Sequence, residues 1–219
     1  MITFESIEKD EAIRTYIKKA DTQLSELGFT EHSFAHVKKT ALQAGDILER
    51  LGYDGRTCEL ARIAGYLHDI GNGVNRIDHA QSGAVMAFTL LTSMGMDPEE
   101  ISDVIAAIGN HDESTASPIS PIAAALILAD KSDVRRSRVR NSNAASFDIH
   151  DRVNFATIAS GMELDPEQRS VVLSITIDTK ICQVMDYFEI FLGRMILCRK
   201  AADYLNLTFE LVINGTRLL

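Results

Sequence analysis

The chain has 219 residues, of which 46% are hydrophobic and 24% are charged, and its net charge is −9. This composition predicts a globular protein with a buried core, and the negative charge argues against broad binding of nucleic acid or anionic lipid. No apolar run approaches the roughly 20 residues of a membrane-spanning helix, and no basic start precedes an apolar stretch as in a secretory signal, so we expect a cytoplasmic protein.

The first 140 residues predict a bundle of helices. Apolar residues recur at helical intervals, and Gly, Asp and Pro residues mark the ends of these repeats. Six helices are predicted: about Glu5 to Leu27, Thr30 to Gly52, Arg56 to Ile70, near His79 to near Gly95, Asp97 to about His111, and Pro121 to Val139. The first half of the last one, "PIAAALILAD", is apolar all round, which is typical of a central buried helix. Its second half is charged, and we expect it to leave the core beside a polar site.

The pattern changes after about Asn141. "VNFATIASGMEL" and "SVVLSITID" are rich in β-branched residues and predict two strands, with a turn at "DPEQ". A helix from about Lys180 to Tyr204 and a last strand, "LTFELVING", follow. The sequence therefore predicts a mainly α protein, with a helical domain at residues 1–140 and a small C-terminal α+β portion at residues 141–219.

Histidines and aspartates lie at the predicted helix ends. The chain has only six histidines, and three of them precede an aspartate. Neutral imidazole and carboxylate are good metal ligands, whereas the three widely spaced cysteines suggest no thiolate site. Because helix ends in a bundle can meet at one point, we expect a single metal cluster fed from five helices: His36, His68, Asp69, His79, His111 and Asp130.

This pattern resembles that of the HD-domain superfamily of metal-dependent phosphohydrolases. The resemblance extends from about Glu31 to Arg140 and includes the flanking stretches "HVKKTA", "AGYLHDIGN" and "LILAD". His79 in "HAQSGA" and His111 in "GNHDE" resemble further positions of the subset with two metals, which includes the HD-GYP phosphodiesterases and the HD-type diadenosine tetraphosphate hydrolases.

The resemblance implies an HD-type helical bundle and a set of ligands for two divalent ions, which could be iron, manganese or zinc. One ion would bind His36, His68, Asp69 and Asp130, and the other would bind His79 and His111 and share Asp69. Two such ions, roughly 3.5–4 Å apart, would acidify a bridging water and hold phosphoryl oxygens. The implied function is hydrolysis of a small phosphoester, with a nucleotide as the first candidate.

Two positions depart from these relatives. HD-GYP proteins have a lysine after "HDIG", where this chain has Asn72, and the GYP signature is absent, so hydrolysis of cyclic dinucleotides is disfavoured. The diadenosine tetraphosphate hydrolases have a threonine where this chain has Asp112. The activity of neither group can simply be transferred to this chain.

Further polar residues near the predicted ligands are candidates for catalysis and substrate binding. We expect Asp69 and Lys131 to act in catalysis. A charge run is usually a solvated face, but Lys131, Arg135 and Arg138 would form one stripe of a continuing helix, and phosphate is recognised by such cations. Asp133 is the acid most expected to support a ligand. The predicted substrate-binding set is Asn72, Asp133, Arg135 and Arg136, with Asn75 and Arg76 as weaker candidates.

Some residues keep two interpretations. His32 fits an N-terminal helix position or a substrate contact, and Asp112 and Glu113 fit solvated loop acids or groups that support proton transfer. For the third doublet, His150-Asp151, a hydrogen-bonded turn is predicted.

Two other functions remain open for the whole chain. Some HD-fold proteins with the same six ligands are diiron oxygenases. A metal-bound sensor or assembly module is the other alternative, because the helix "QVMDYFEIFLGRMILC" could form the surface of a homodimer, although packing within the chain is the expected role. For the leading function the expected partner is a small phosphorylated substrate.

Overall fold

The computed structural model describes residues 1–140 and 149–219, except for the side chains of residues 149 and 150. The helices of the first range are α1 (Phe4–Lys9), α2 (Glu11–Glu26), α3 (Phe34–Arg50), α4 (Gly55–Leu67), α5 (His79–Ser93), α6 (Pro98–Gly109) and α7 (Pro121–Lys131), with 3-10 turns at Ile70–Gly73 and Arg136–Arg138. The second range contains α8 (Ile149–Ala156), β1 (Thr157–Asp165), β2 (Ser170–Ile177), α9 (Val184–Tyr204), β3 (Thr208–Ile213) and β4 (Thr216–Arg217). The predicted class, a helical bundle with a small α+β portion, is confirmed.

Helix α7 forms the centre of the bundle. Every residue from Ile122 to Lys131 is buried, and the helix packs against α3, α4, α6 and α9. A helix that is apolar on all sides can be stable only where neighbours cover each side. The prediction of a central buried helix is therefore confirmed, and Asp130 and Lys131 bring charge to its buried C-terminal end.

The packing of α3 against α4 depends on Gly65. A Cβ atom at this position would lie 2.7 Å from the Cα atom of Ala41, which is closer than real Cβ contacts. Glycine thus allows the two helix backbones to approach each other. This approach brings His36, near the start of α3, towards His68, which directly follows α4.

The C-terminal sheet has the strand order β1-β2-β3-β4. Its outer pairs are antiparallel, whereas β2 and β3 are parallel because α9 connects them. Alternate residues of β2 and β3, such as Leu173 and Leu211, face inward. They belong to a hydrophobic cluster that also includes residues of α3, α4 and α7, so the helical bundle and the sheet share one core.

The structure corrects several predicted boundaries. The first predicted helix is two helices, because the side chain of Asp10 accepts a hydrogen bond from the backbone N–H of Ile13 and starts α2. Ser33, rather than Thr30, caps α3. Helix α4 ends at Leu67 rather than at Ile70, and α9 begins at Val184 rather than near Lys180.

Two further corrections concern the region around the chain's charged run. Helix α7 ends at Lys131 instead of continuing to Val139, so the predicted stripe of Lys131, Arg135 and Arg138 does not exist. The start of the first predicted strand is helical, since α8 extends from Ile149 to Ala156. His150-Asp151, predicted to be a turn, therefore lies in the first turn of α8; the side chain of His150 lies outside the described residues.

Among the described residues, no helix combines the length and apolarity that crossing a membrane requires.

Candidate metal centre

The predicted ligands lie together at one end of the bundle, next to the buried end of α7. The Oδ2 atom of Asp69 is 3.1 Å from the Nε2 atom of His68 and 3.6 Å from that of His36. The Oδ1 atom of Asp130 is 3.3 Å from Nε2 of His36 and 3.6 Å from Nε2 of His68. The structure thus brings four of the predicted ligands, delivered by α3, α7 and the residues after α4, to one point.

His79 and His111 complete the cluster from the opposite side. The Nε2 atom of His79, the first residue of α5, is 3.5 Å from Oδ1 of Asp69. The ring of His111, just after α6, lies 5.0 Å from the ring of His68 and 5.1 Å from the ring of His79. Asp69 therefore lies between the two sides, with one carboxylate oxygen towards each.

Each ligand histidine has its outer ring nitrogen bound to an oxygen. The Nδ1 atom of His36 is 2.8 Å from Oδ2 of Asp133. In the other three the partner is a backbone carbonyl: Gly65 for His68 at 2.8 Å, Arg76 for His79 at 3.1 Å, and Ile108 for His111 at 2.6 Å. Nδ1 must be the proton donor in each of these pairs, so a neutral ring presents an unprotonated Nε2 to the centre.

The inner nitrogens fit a bound cation. His36 Nε2 and His68 Nε2 are buried without a hydrogen-bond partner in the structure, although carboxylate oxygens lie within 3.1–3.6 Å of them. A lone pair that faces a carboxylate oxygen repels it unless a proton or a metal ion lies between the two. The donor set of imidazole and carboxylate suits iron, manganese and zinc alike.

The pKa values of these residues differ according to the charges beside each of them. Burial disfavours an imidazolium ion, but Asp69 and Asp130 outweigh burial and raise the pKa of His68 to about 10. Burial, together with His68 and Lys131, lowers the pKa of His111 to about 3. Burial opposes ionisation of Asp69 and Asp130, yet His68 beside the first and Lys131 beside the second keep both carboxyl pKa values well below their usual range.

Among the residues that the structure describes, two compact groups could hold a metal ion. In each group the potential ligand atoms lie within 4.8 Å of one another: His36, His68 and Asp130 in the first, and His68, Asp69 and His111 in the second. The first group matches three ligands of one predicted ion. The second group joins His111 to Asp69, as predicted for the other ion, but it includes His68. His79, the remaining predicted ligand of that ion, is not in this group and contacts Asp69 instead.

These residues lie in a region that matches a known domain family. Residues 33–135 match the family model of the HD domain. The chain contains an HD domain. Among solved structures, the chain is similar to a predicted HD superfamily hydrolase from an uncultured Thermotogales bacterium, with 28% sequence identity, coverage of 62% of this chain and 75% of that one, and a TM-score of 0.46. No curated protein is significantly similar to the chain.

In this HD domain, Asn72 holds the central aspartate. Its side-chain amide donates hydrogen bonds to the backbone oxygen of Asp69 at 3.0 Å and to Oδ1 of Asp69 at 2.9 Å. Its own oxygen accepts a hydrogen bond from Arg76 at 3.2 Å. Asn72, predicted to bind substrate, thus orients Asp69 and connects it to a nearby guanidinium group.

Asp133 lies behind His36 rather than on the open side of the cluster. Its buried carboxylate accepts hydrogen bonds from His36, from Lys39 Nζ at 2.7 Å and from Arg135 Nε at 3.0 Å. This position fits the expected support of a ligand, but the structure does not bring the carboxylate to a surface that a substrate could reach.

Lys131 lies beside the cluster, whereas the two predicted substrate arginines point elsewhere. The Nζ atom of Lys131 is 2.6 Å from Oδ2 of Asp130. Arg135 contacts Asp133 and lies 3.1 Å from Glu31. Arg136 donates to the carbonyl oxygen of Phe155 at 2.5 Å and is exposed. Because α7 ends at Lys131, these two side chains do not continue its helical face, and they contact Asp133, Glu31 and Phe155 rather than the clustered histidines.

The sequence did not predict Arg194 as a site residue, and it left Glu113 open as a solvated loop acid or a group that supports proton transfer. Glu113, two residues after His111, accepts a hydrogen bond from Arg194 Nε at 2.5 Å, and its Oε1 is 4.0 Å from Lys131 Nζ. A single arginine within the apolar stretch "EIFLGRMIL" was the available signal, since a charge in such a helix needs a partner. Helix α9 therefore reaches the HD-domain centre through this ion pair.

Proposed function

We propose that this protein is a metal-dependent phosphohydrolase that acts on a small phosphoester. The observation that carries the proposal is the convergence of four histidine Nε2 atoms and two carboxylates, with the outer nitrogen of each ring already bonded to an oxygen. The HD domain supports a metal-dependent hydrolase as the general class. The positive charges of Lys131, beside Asp130, and of Arg76, beside His79, support a phosphorylated substrate.

The residues would hold two divalent ions, with Asp69 between them. Bound ions would acidify a water and stabilise the negative charge that develops on phosphoryl oxygens. Asn72 fixes the carboxylate of Asp69, and Asp133 fixes the ring of His36, so the ligands need little reorganisation when substrate binds. Lys131 keeps Asp130 ionised and places a positive charge next to the cluster.

A nucleotide is the first candidate for the substrate. The ring of Phe29 is 38% exposed and lies under the guanidinium group of Arg76, which in turn lies 3.5 Å from His79. An exposed aromatic ring next to a phosphate-binding cation can stack on a base, since each base has a flat π face.

The test compares Asp69→Asn with Asp103→Asn in a panel of nucleotides and other phosphoesters with added manganese. Asp103 lies exposed on α6, so it is a matched control. Loss of Asp69 should lower turnover by more than the roughly 10–100-fold that loss of a supporting group costs, because both carboxylate oxygens face ligand histidines. The control should retain the wild-type rate.

An unchanged rate in Asp69→Asn would contradict the proposed mechanism. Absence of turnover across the panel, together with oxygen consumption by an iron-loaded sample, would favour the oxygenase alternative instead.

A further inference from the structure

A small cavity lined by basic side chains adjoins the metal centre. Its volume is about 80 Å³, and the residues around it include Phe29, His32, Arg76, Arg138, Asn154 and Arg194. The lining comes from both parts of the chain, because Asn154 belongs to α8 and Arg194 to α9. We refer to it as the arginine pocket.

Two residues that line the arginine pocket, His32 and Arg76, lie next to the histidine and aspartate cluster. His32 Nε2 is 3.9 Å from Oδ2 of Asp69, and Arg76 Nη1 is 3.5 Å from Nε2 of His79. His32 also stacks edge-on against His36, with ring centroids 5.6 Å apart. A group bound in the pocket would therefore lie within reach of the ligands on both sides of Asp69.

Two of the three guanidinium groups are held in place by contacts with other residues of the protein. Arg138 is buried, and it donates from Nε to the carbonyl oxygen of Glu31 and from Nη1 to that of Asp133, both at 2.9 Å. Arg194 donates from Nε to Glu113 and lies 4.4 Å over the ring of Phe191. A guanidinium group has five N–H donors, so each side chain retains donors that can face the pocket.

Arg76 brings a third positive charge without a balancing acid. It contacts the amide oxygen of Asn72, but in the described part of the chain no carboxylate lies within 4.0 Å of it. Burial and repulsion by Arg194 both act to lower the pKa of Arg138 against the pull of Asp133 and Asp130. Like charges that line one small cavity repel one another, and a bound anion removes that cost.

We propose that the arginine pocket binds the phosphoryl group of the substrate and selects phosphomonoesters. A monoester carries about two negative charges near neutral pH, whereas a diester carries one, so three guanidinium groups favour the monoester. Arg194 makes α9, and with it the C-terminal portion, part of the substrate site. The inference deepens the proposed function and rests on it, because the phosphate held here would be the group attacked by the water that the ions around Asp69 would acidify.

The test measures binding of inorganic phosphate by calorimetry to the protein as purified, with its resident metals. Wild type is compared with Arg76→Gln, Arg194→Gln, Arg194→Lys and Arg199→Gln. Arg199 is an exposed residue on the same helix as Arg194 and is the matched control. Loss of either pocket arginine should weaken phosphate binding at least about tenfold, the size expected for a charge-assisted hydrogen bond.

The control should bind phosphate as wild type does, and Arg194→Lys should fall between wild type and Arg194→Gln. Circular dichroism and metal content should be unchanged in Arg194→Lys. A weaker phosphate affinity of this variant would then not be due to misfolding. Equal phosphate affinity in all variants, or no binding by wild type, would overturn the inference.

A second measurement separates this inference from the proposed function. If phosphoesters are hydrolysed but Arg194→Gln leaves the preference for monoesters over diesters unchanged, the inferred role of the arginine pocket is wrong and the proposed hydrolysis is unaffected. If phosphate binding depends on Arg76 and Arg194 but no phosphoester is hydrolysed, the arginine pocket is a phosphate-binding site and the proposed activity is wrong.

Discussion

Asp133 shows how one buried carboxylate can set the state of a ligand. It accepts hydrogen bonds from His36, Lys39 and Arg135, and Arg138 lies 3.8 Å away. Burial opposes its ionisation, but His36 and Arg138 outweigh burial and keep the pKa of this carboxyl well below its usual range. Because Asp133 fixes the proton of His36 on Nδ1, the Nε2 atom keeps a lone pair that could bind a metal ion.

Replacing Asp133 with Asn should destabilise the protein at neutral pH. The variant leaves buried positive groups without their anion, and breaking a buried pair in this way costs about 3–5 kcal/mol. The folded pKa of Asp133 is depressed, so its contribution is fully present above the unfolded value, about 3.9, and is lost as the pH falls below it towards the folded pKa.

Urea unfolding at pH 7 and at several values below pH 4 measures this effect. The difference in unfolding free energy between wild type and Asp133→Asn should shrink as the pH falls. Asp103→Asn, exposed on α6, should match wild type throughout. Equal stability of wild type and Asp133→Asn at pH 7 would show that Asp133 does not hold His36 as described.

At this scale the sequence predicted which candidate ligands lie together better than it predicted the groups around them. The candidate ligands lie at helix ends within a recognisable sequence pattern, so the sequence alone could predict their positions. Partners such as Arg194 and Glu113 are far apart in the chain and meet only through packing. Arg136 was expected near the substrate but is bound to Phe155, because a side chain's direction depends on where its helix ends.

The helices that deliver the ligands are held close by two glycines. Gly65 lets α4 approach α3, as described above. Gly71 directly follows the predicted end of the third helix, but α4 ends earlier, and a Cβ atom at Gly71 would lie 2.0 Å from the carbonyl oxygen of His79. Its role is therefore close approach: it lets the 3-10 turn after Asp69 pack against the start of α5.

Gly65→Ala should weaken both the fold and the metal centre. Alanine gains about 1 kcal/mol in helix propensity, but the new Cβ meets the backbone of Ala41, and overpacking of this kind costs about 1–3 kcal/mol. Since backbone atoms cannot move aside as a flexible side chain can, we expect a net loss of stability. The displacement of α3 should also separate His36 from His68 and reduce the metal content.

Gly55→Ala is the matched control for this prediction. Gly55 begins the same helix, and a Cβ atom there would have no neighbour within 4 Å. Urea unfolding and metal analysis should show wild-type or slightly higher stability for the control. If Gly65→Ala were as stable and as rich in metal as Gly55→Ala, close approach of α3 and α4 would not position the ligands.

The periodicity of apolar residues predicted most helices but not every helix boundary. The charged continuation of α7 looked helical in sequence, yet the chain turns after Lys131, where the side chain of Asp133 binds His36 and Lys39 on α3. Contacts between distant elements therefore override local propensity at this point. The same limit applies to α8, where β-branched residues suggested a strand.

At the scale of the whole molecule, the sheet and α9 do more than extend the helical bundle. One hydrophobic cluster includes residues of α7, α9 and the inner face of β2 and β3. Through this shared core, α9 holds Arg194 beside Glu113 and next to the end of α7. The boundary predicted at residues 140–141 remains a prediction about the chain's organisation, but the two parts pack as neighbours around one site.

The proposed mechanism depends above all on a metal bound at the cluster around Asp69. Elemental analysis of the purified protein tests this directly, with Asp69→Asn as the comparison and Asp103→Asn as the control. We predict two divalent ions per chain, drawn from iron, manganese and zinc, in wild type and control, and a clear loss in Asp69→Asn. One ion per chain would contradict the two-ion arrangement, and a wild-type chain without metal would contradict the metal centre itself.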